Sequence, residues 1–347
     1  MPSVRRVQLT GTSTFTVSLP KEWAKRRGIG RGTRLSILES AGGSLVLDAE
    51  NAEAEAARAA EEKVCVDQYK SDSLRRKFIA SYISGTSRIL FYSRNALSNS
   101  TRQVIFEEAR RLIGMEVTDE TESSLTVRDF YSQKELSVSR AFGRMHLLVG
   151  NLFSELCLTI KRADYASARA MRSRDDEVDR LKFLILRQLN LALSDTRVLL
   201  AMGLASADCI DYAVATRNLE HVADDLIEIG LHYHDAGTVP RHSEFPAKKF
   251  EAACAEAARQ YGLAVRAFIE SDTLAAESVL DYTRRSGEEY HAALNEVSHD
   301  KKRAPVQYTL MLAKLDNSIA NHCAEIAEIT LNRNRRQHDA HKICKKD

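Results

Sequence analysis

The chain has 347 residues, more than one compact core usually holds, so two or three domains are expected. Its 44% hydrophobic and 28% charged residues exclude a disordered or fibrous chain. The six cysteines form no C-x-x-C pair, the N-terminus has no apolar leader stretch, and no apolar run reaches the roughly 18 residues of a membrane span. A soluble cytoplasmic protein is expected.

Residues 1–50 alternate in β fashion through "RRVQL", "STFTVSL", "RLSILES" and "GSLVLDA", with a short basic helix after Pro20. They hold eight Lys/Arg against four acids, and the last fifteen residues hold six against two. Since net charge is only +2, the stretch between is acidic, and a basic head on an acidic body implies different partners. A four-strand unit this small has little core of its own, so pairing with a second copy is expected.

Residues 51–137 read as a helical connector, over 51–62, and a small α+β module. Its strands fall at "KVCVDQY" and "SLTVRDFY", its helices near 72–93 and 101–114. From residue 138 the pattern is helical, broken at "HDAGTVPRHSEFP", where Gly237, Pro240 and Pro246 stop one helix and space the next. The break separates residues 138–236 from 244–334, each reading as three helices: 140–165, 173–197 and 204–234, then 245–270, 272–297 and 304–334. "RNLEHVADDLIEI" and "KLDNSIANHCAEIAEI" close the two halves and point to an internal duplication. Residues 335–347 form a basic tail.

In the first half Leu219, Val222, Leu226 and Ile229 have the spacing of a buried stripe, which turns Glu220, Asp224 and Glu228 to the other side, with Arg217 beside them. Asp175 and Asp179 flank a second stripe of Val178, Leu181, Ile185 and Leu189. Antiparallel neighbours would bring these carboxylates together. Like charges one turn apart cost a few tenths of a kcal/mol per pair, which a hard cation would offset. On spacing alone, a solvated acidic face accounts for them more simply.

"DDEVDRLKFLI" and "RNLEHVADDLIEIG" resemble the two E/D-x-x-x-D signatures of the PhoU family of phosphate-uptake regulators, at Asp175 with Asp179 and Glu220 with Asp224, and Arg217 matches the family's arginine. The resemblance, over about 138–332, implies a mainly α fold of two tandem three-helix bundles, with metal ions (iron, Mn, Mg or Zn) held by those four carboxylates. In the second half Glu277 and Asp281 keep the spacing, but Asn317 and Asn321 stand where Glu220 and Asp224 would. Asp316 and Glu325 lie nearby, and a second metal site is the weaker expectation.

The run from Thr10 to Trp23 and the "GIGRGTRLSIL" after it resemble the AbrB/MazE/SpoVT swapped-hairpin domain. That resemblance implies a homodimer with interleaved hairpins, a fold whose relatives bind DNA or only dimerise. Arg5, Arg6, Lys21, Lys25, Arg26 and Arg27 are the candidates for DNA phosphate contact.

Two E-x-x-H matches, Glu288 with His291 and Glu296 with His299, are too close in sequence to face each other as a di-iron site. His338, His341 and Cys344 read as a frayed basic end, and no phosphate loop, nucleophile elbow or H-E-x-x-H run is present. The sequence therefore predicts a non-catalytic regulator of archaeal type, acting on a phosphate ABC transporter or on transcription. Its rivals are a purely DNA-binding sensor of metal or phosphate and a metal-dependent phosphohydrolase.

Overall fold

The computed structural model describes residues 4–39, 43–49, 61–130, 136–238, 247–299, 311 and 314–344. Most of the expected connector, residues 51–60, lies outside them, as do the side chains of Glu288, His291, Glu296, His299, Asp316, His338, His341 and Cys344. The chain divides into two compact units, Met1–Ala59 and Ala60–Asp347.

In the first unit β1 (Gln8–Thr10) pairs antiparallel with β2 (Thr14–Thr16), turning at Gly11, whose φ of +70° suits glycine. Helix α1 (Lys21–Arg26) follows, and β3 (Leu35–Glu39) pairs antiparallel with β4 (Leu45–Ala49). Pro20 sits just before α1, and its carbonyl accepts from the Ala24 amide at 2.9 Å. Val7, Leu9, Phe15, Val17, Ile37 and Leu45 stay exposed.

The second unit begins with β5 (Glu61–Cys65), α2 (Ser71–Ile83), β6 (Arg88–Tyr92), α3 (Asn99–Arg111), β7 (Met115–Glu120) and β8 (Ser124–Asp129), the sheet running β5-β6-β8-β7. β5 and β6 are parallel across the α2 crossover, and the other pairs are antiparallel. This corrects the helix expected to residue 93. Gly85, at φ +94°, turns the chain, and "RILFY" becomes β6, burying Ile89 and Phe91 on alternate positions. Strand β7 was also missed, because "MEVTDE" carries too few apolar residues to read as one.

The helical body comprises α4 (Val138–Lys161), α5 (Tyr165–Ala170), α6 (Asp175–Ser194), α7 (Thr196–Ala201), α8 (Ser206–Thr238), α9 (Ala247–Glu270), α10 (Thr273–His299), a π-helical turn at Lys314–Ile319 and α11 (Ala320–Cys344). Helices α4, α6 and α8 pack as one three-helix bundle, and α9, α10 and α11 as a second. The bundles meet where α4 packs on α9 and α8 on α11, so one continuous apolar core runs through both. Helix α4 ends earlier than the sequence predicts, where Ala163 takes a φ of 53° and Asp164 caps α5 by accepting from the Ser167 amide at 3.0 Å. Asp195 likewise ends α6 and caps α7, accepting from the Arg197 amide at 3.0 Å.

The α+β module is fastened to α6 by Arg187, which is almost fully buried. Its guanidinium donates to the carbonyls of Tyr82, Thr86 and Gly85, pairs with Asp129 at 2.6 Å, and lies 4.8 Å from the centre of the Tyr82 ring. Packing is close at this contact: a Cβ on Gly85 would lie 2.6 Å from Leu191.

Candidate functional site

Val178, Leu181, Ile185 and Leu189 turn into the core and fix the rotation of α6, so Asp175 and Asp179 lie on its flank. Leu219, Val222, Leu226 and Ile229 are fully buried and do the same for Glu220 and Asp224 on the neighbouring α8. Between the two helices stands Lys182, whose Nζ donates to Asp179 Oδ1 at 2.5 Å and to Glu220 Oε1 at 2.6 Å. At the end of α3, Arg111 approaches the other oxygen of Asp179 at 3.3 Å and Asp176 at 3.1 Å, and also pairs with buried Glu108 at 3.4 Å. The α+β module thus reaches the acidic face.

The charges are only partly balanced. Burial opposes the charge on Lys182, but its hydrogen bonds to Asp179 and Glu220 outweigh that and hold its pKa above the usual lysine value. Asp175 is pushed above the ordinary carboxyl range by burial and by the charge of Asp179. Asp224, although its side chain meets solvent, is pushed up to about 7 by desolvation among the helices and by the charges of Glu220 and Asp175. Burial first, and then the like charges of Asp179 and Glu220, hold these two carboxyls back from ionisation.

Carboxylate oxygens are the donors that a hard metal cation takes. As the side chains stand, no three His, Cys, Asp or Glu among the described residues are disposed to hold one; Lys182 bridges Asp179 and Glu220. A cavity of about 460 Å³ opens beside this bridge, lined by Lys182, Leu186, Val214, Arg217, Glu220 and His221. Arg217 therefore stands where the sequence puts it, beside Glu220.

Glu228 departs from the expected stack. Eight residues beyond Glu220 a helix has turned about 80° past two full turns, and Glu228 pairs with Lys314 at 2.8 Å and His232 at 3.4 Å. Lys314 also holds buried Asp225 at 2.9 Å, and His322 bonds Asn218 at 3.0 Å, so a polar seam joins α8 to the second bundle. In that bundle Glu277 and Asp281 are exposed on α10, while Asn321 donates to Asn317 at 3.1 Å. In the first unit Arg5, Arg6, Lys21, Lys25 and Arg26 are exposed and Arg27 is half-buried.

Sequence reasoning missed both cations of the site. Lys182 had a signal, lying three residues after Asp179 on the same helix face. Arg111 had none, being 68 residues from its partner.

Fold and site together define a protein with a small hairpin unit and a body of tandem three-helix bundles, the first carrying D-x-x-x-D and E-x-x-x-D on facing helices. Residues 142–231 match the PhoU domain family and residues 8–54 match the family described as antidote-toxin recognition MazE, bacterial antitoxin. The chain thus carries one region similar to the PhoU domain and, before it, one similar to the MazE antitoxin domain. It is similar to the crystal structure of PhoU from Pseudomonas aeruginosa, at 21% identity and a TM-score of 0.46 over 56% of this chain and 93% of that one. No curated protein matches it. Among the described residues no helix is long and apolar enough to cross a membrane.

Proposed function

We propose that the chain is a non-catalytic regulator of phosphate uptake whose first helical bundle binds metal through Asp175, Asp179, Glu220 and Asp224. The observation that carries this reading is that the PhoU match covers both acidic motifs, and Lys182 bridges Asp179 of α6 to Glu220 of α8. Iron, manganese, magnesium and zinc all suit carboxylate oxygens to differing degrees. The partner on this reading is a phosphate ABC transporter, restrained when phosphate is plentiful. Cells lacking the protein are expected to keep importing phosphate in phosphate-rich medium; uptake that shuts off as in wild type would overturn the regulator reading. For the metal, elemental analysis of purified wild type beside a Glu220→Gln/Asp224→Asn variant is expected to show metal lost from the variant. Equal content would remove the site.

A second reading is favoured by the first unit. Its exposed Val7, Leu9, Phe15 and Ile37 need cover, and a second copy interleaved with the first would supply it. Its exposed Arg5, Arg6, Lys21, Lys25 and Arg26, with Arg27, would then meet DNA phosphates from both protomers. Binding to the protein's own promoter should fall steeply with salt as counterions are released. A dimer that binds no promoter DNA at low salt would leave this unit as a dimerisation element.

A further inference from the structure

We infer that Lys182 is the resident counter-ion of the acidic face, and that its ammonium and a divalent metal ion are mutually exclusive occupants of Asp179 and Glu220. This rests on the metal reading above and adds the residue that sets its threshold.

A solvated lysine spreads over many rotamers, and exposed ion pairs are worth little for that reason. Lys182 is held differently. Its side chain is 15% exposed, and its partners Asp179 and Glu220 are 17% and 16% exposed. Its Nζ touches carboxylate oxygens from both helices, at 2.5 and 2.6 Å, and lies 4.8 Å from the centre of the Phe183 ring. An ammonium is a compact point charge, so in this position it cancels repulsion across the α6–α8 seam, as a metal ion would.

The two cannot be accommodated together. A metal ion sharing Asp179 Oδ1 and Glu220 Oε1 would sit within a few ångström of Nζ, where like charges repel strongly in a partly buried site. Lys182 must therefore leave these oxygens before they can serve a metal, and the adjoining cavity, of about 460 Å³, already counts it among its lining and gives it somewhere to go. Arg111 takes the other oxygen of Asp179, so that carboxylate stays oriented in either state. The first bundle then folds without metal and binds it only above a concentration that outcompetes the lysine.

Manganese titration by calorimetry on the full chain tests this, with wild type, Lys182→Gln and Lys182→Arg compared. Lys182→Gln should bind Mn²⁺ at least about tenfold more tightly, since charge-assisted hydrogen bonds are each worth roughly that factor. Lys182→Arg should stay near wild type. In chelator Lys182→Gln should melt below wild type and recover with Mn²⁺. Should that variant not fold, amine labelling of wild type read by mass spectrometry still decides: Lys182 should be protected in chelator and become reactive as Mn²⁺ is added. Mn²⁺ binding with Lys182 still protected, or equal affinity in wild type and Lys182→Gln, would overturn the competition while leaving the metal site standing. No Mn²⁺ binding by either protein would remove the metal reading itself, and the competition with it.

Discussion

The two bundles bury their stripes alike and differ in what they place beside them. In the first, Leu219, Val222, Leu226 and Ile229 of α8 are fully buried; in the second, Ile319, Cys323 and Ile326 of the π turn and α11 are too. Where α8 carries Glu220 and Asp224 four residues apart, the corresponding turn carries Asn317 and Asn321. The amides satisfy one another with a hydrogen bond and need no counter-ion, whereas the carboxylates stand among Lys182 and Arg111 and leave Asp224 with a raised pKa. The stripe sets the fold, and the flank is free to carry a site or to lose it.

The largest expected effect breaks the comparison at the contact between the first bundle and the α+β module. Arg187→Ala removes a buried guanidinium, its ion pair with Asp129 and its bonds to three carbonyls, and should cost about 3 to 5 kcal/mol. Urea denaturation followed by circular dichroism measures it. Lys at this position should rescue little, because the planar fork is what reaches four acceptors. A loss below about 1 kcal/mol would mean that the α+β module is not fastened here.

A smaller effect sharpens the contrast between flanks. Arg111→Ala, which uncouples α3 from Asp176 and Asp179, should cost about 1 to 3 kcal/mol in chelator. Arg285→Ala, on the exposed face of α10 with a 3.3 Å bond to the Asp281 carbonyl, should stay within about 0.5 kcal/mol. Equal costs would show that the acidic face is as undemanding as its counterpart.

What the sequence made legible follows from period. The stripes of α6 and α8 recur at helical spacing, and every residue assigned to them is buried. Helix α8 runs on through Gly237 to Thr238, past the point where the sequence stops it, and Pro240 and Pro246 lie outside the described residues. The α+β module was less legible because "RILFY" is five residues long and apolar runs of that length suit strand or helix equally; only Gly85 and the parallel partner β5 decide it. Of the site, the carboxylates could be found from spacing on one helix at a time. Arg111 and Arg187 act across 68 and 58 residues, through contacts no local pattern encodes. Glu228 was misplaced because spacing in multiples of four drifts around the helix, so a third residue in such a series faces another neighbour.

The smallest expected effect concerns the seam where the bundles meet. On α4, His146 Nδ1 lies 3.1 Å from the hydroxyl of Tyr261 on α9, their rings 5.2 Å apart, and that hydroxyl also donates to the His146 carbonyl at 3.2 Å. Tyr261 is fully buried, and burial holds the His146 pKa below its ordinary 6.5. A depressed histidine is kept neutral by folding, so the unfolded chain takes up the proton first as pH falls. The stability owed to neutral His146 is therefore complete above pH 6.5 and is lost as pH drops below it. Against a His146→Gln variant, which can bond the hydroxyl but does not titrate, the wild-type advantage in urea should shrink between pH 7.5 and pH 5. A difference that stays constant across that range would show that His146 is solvated alike in both states.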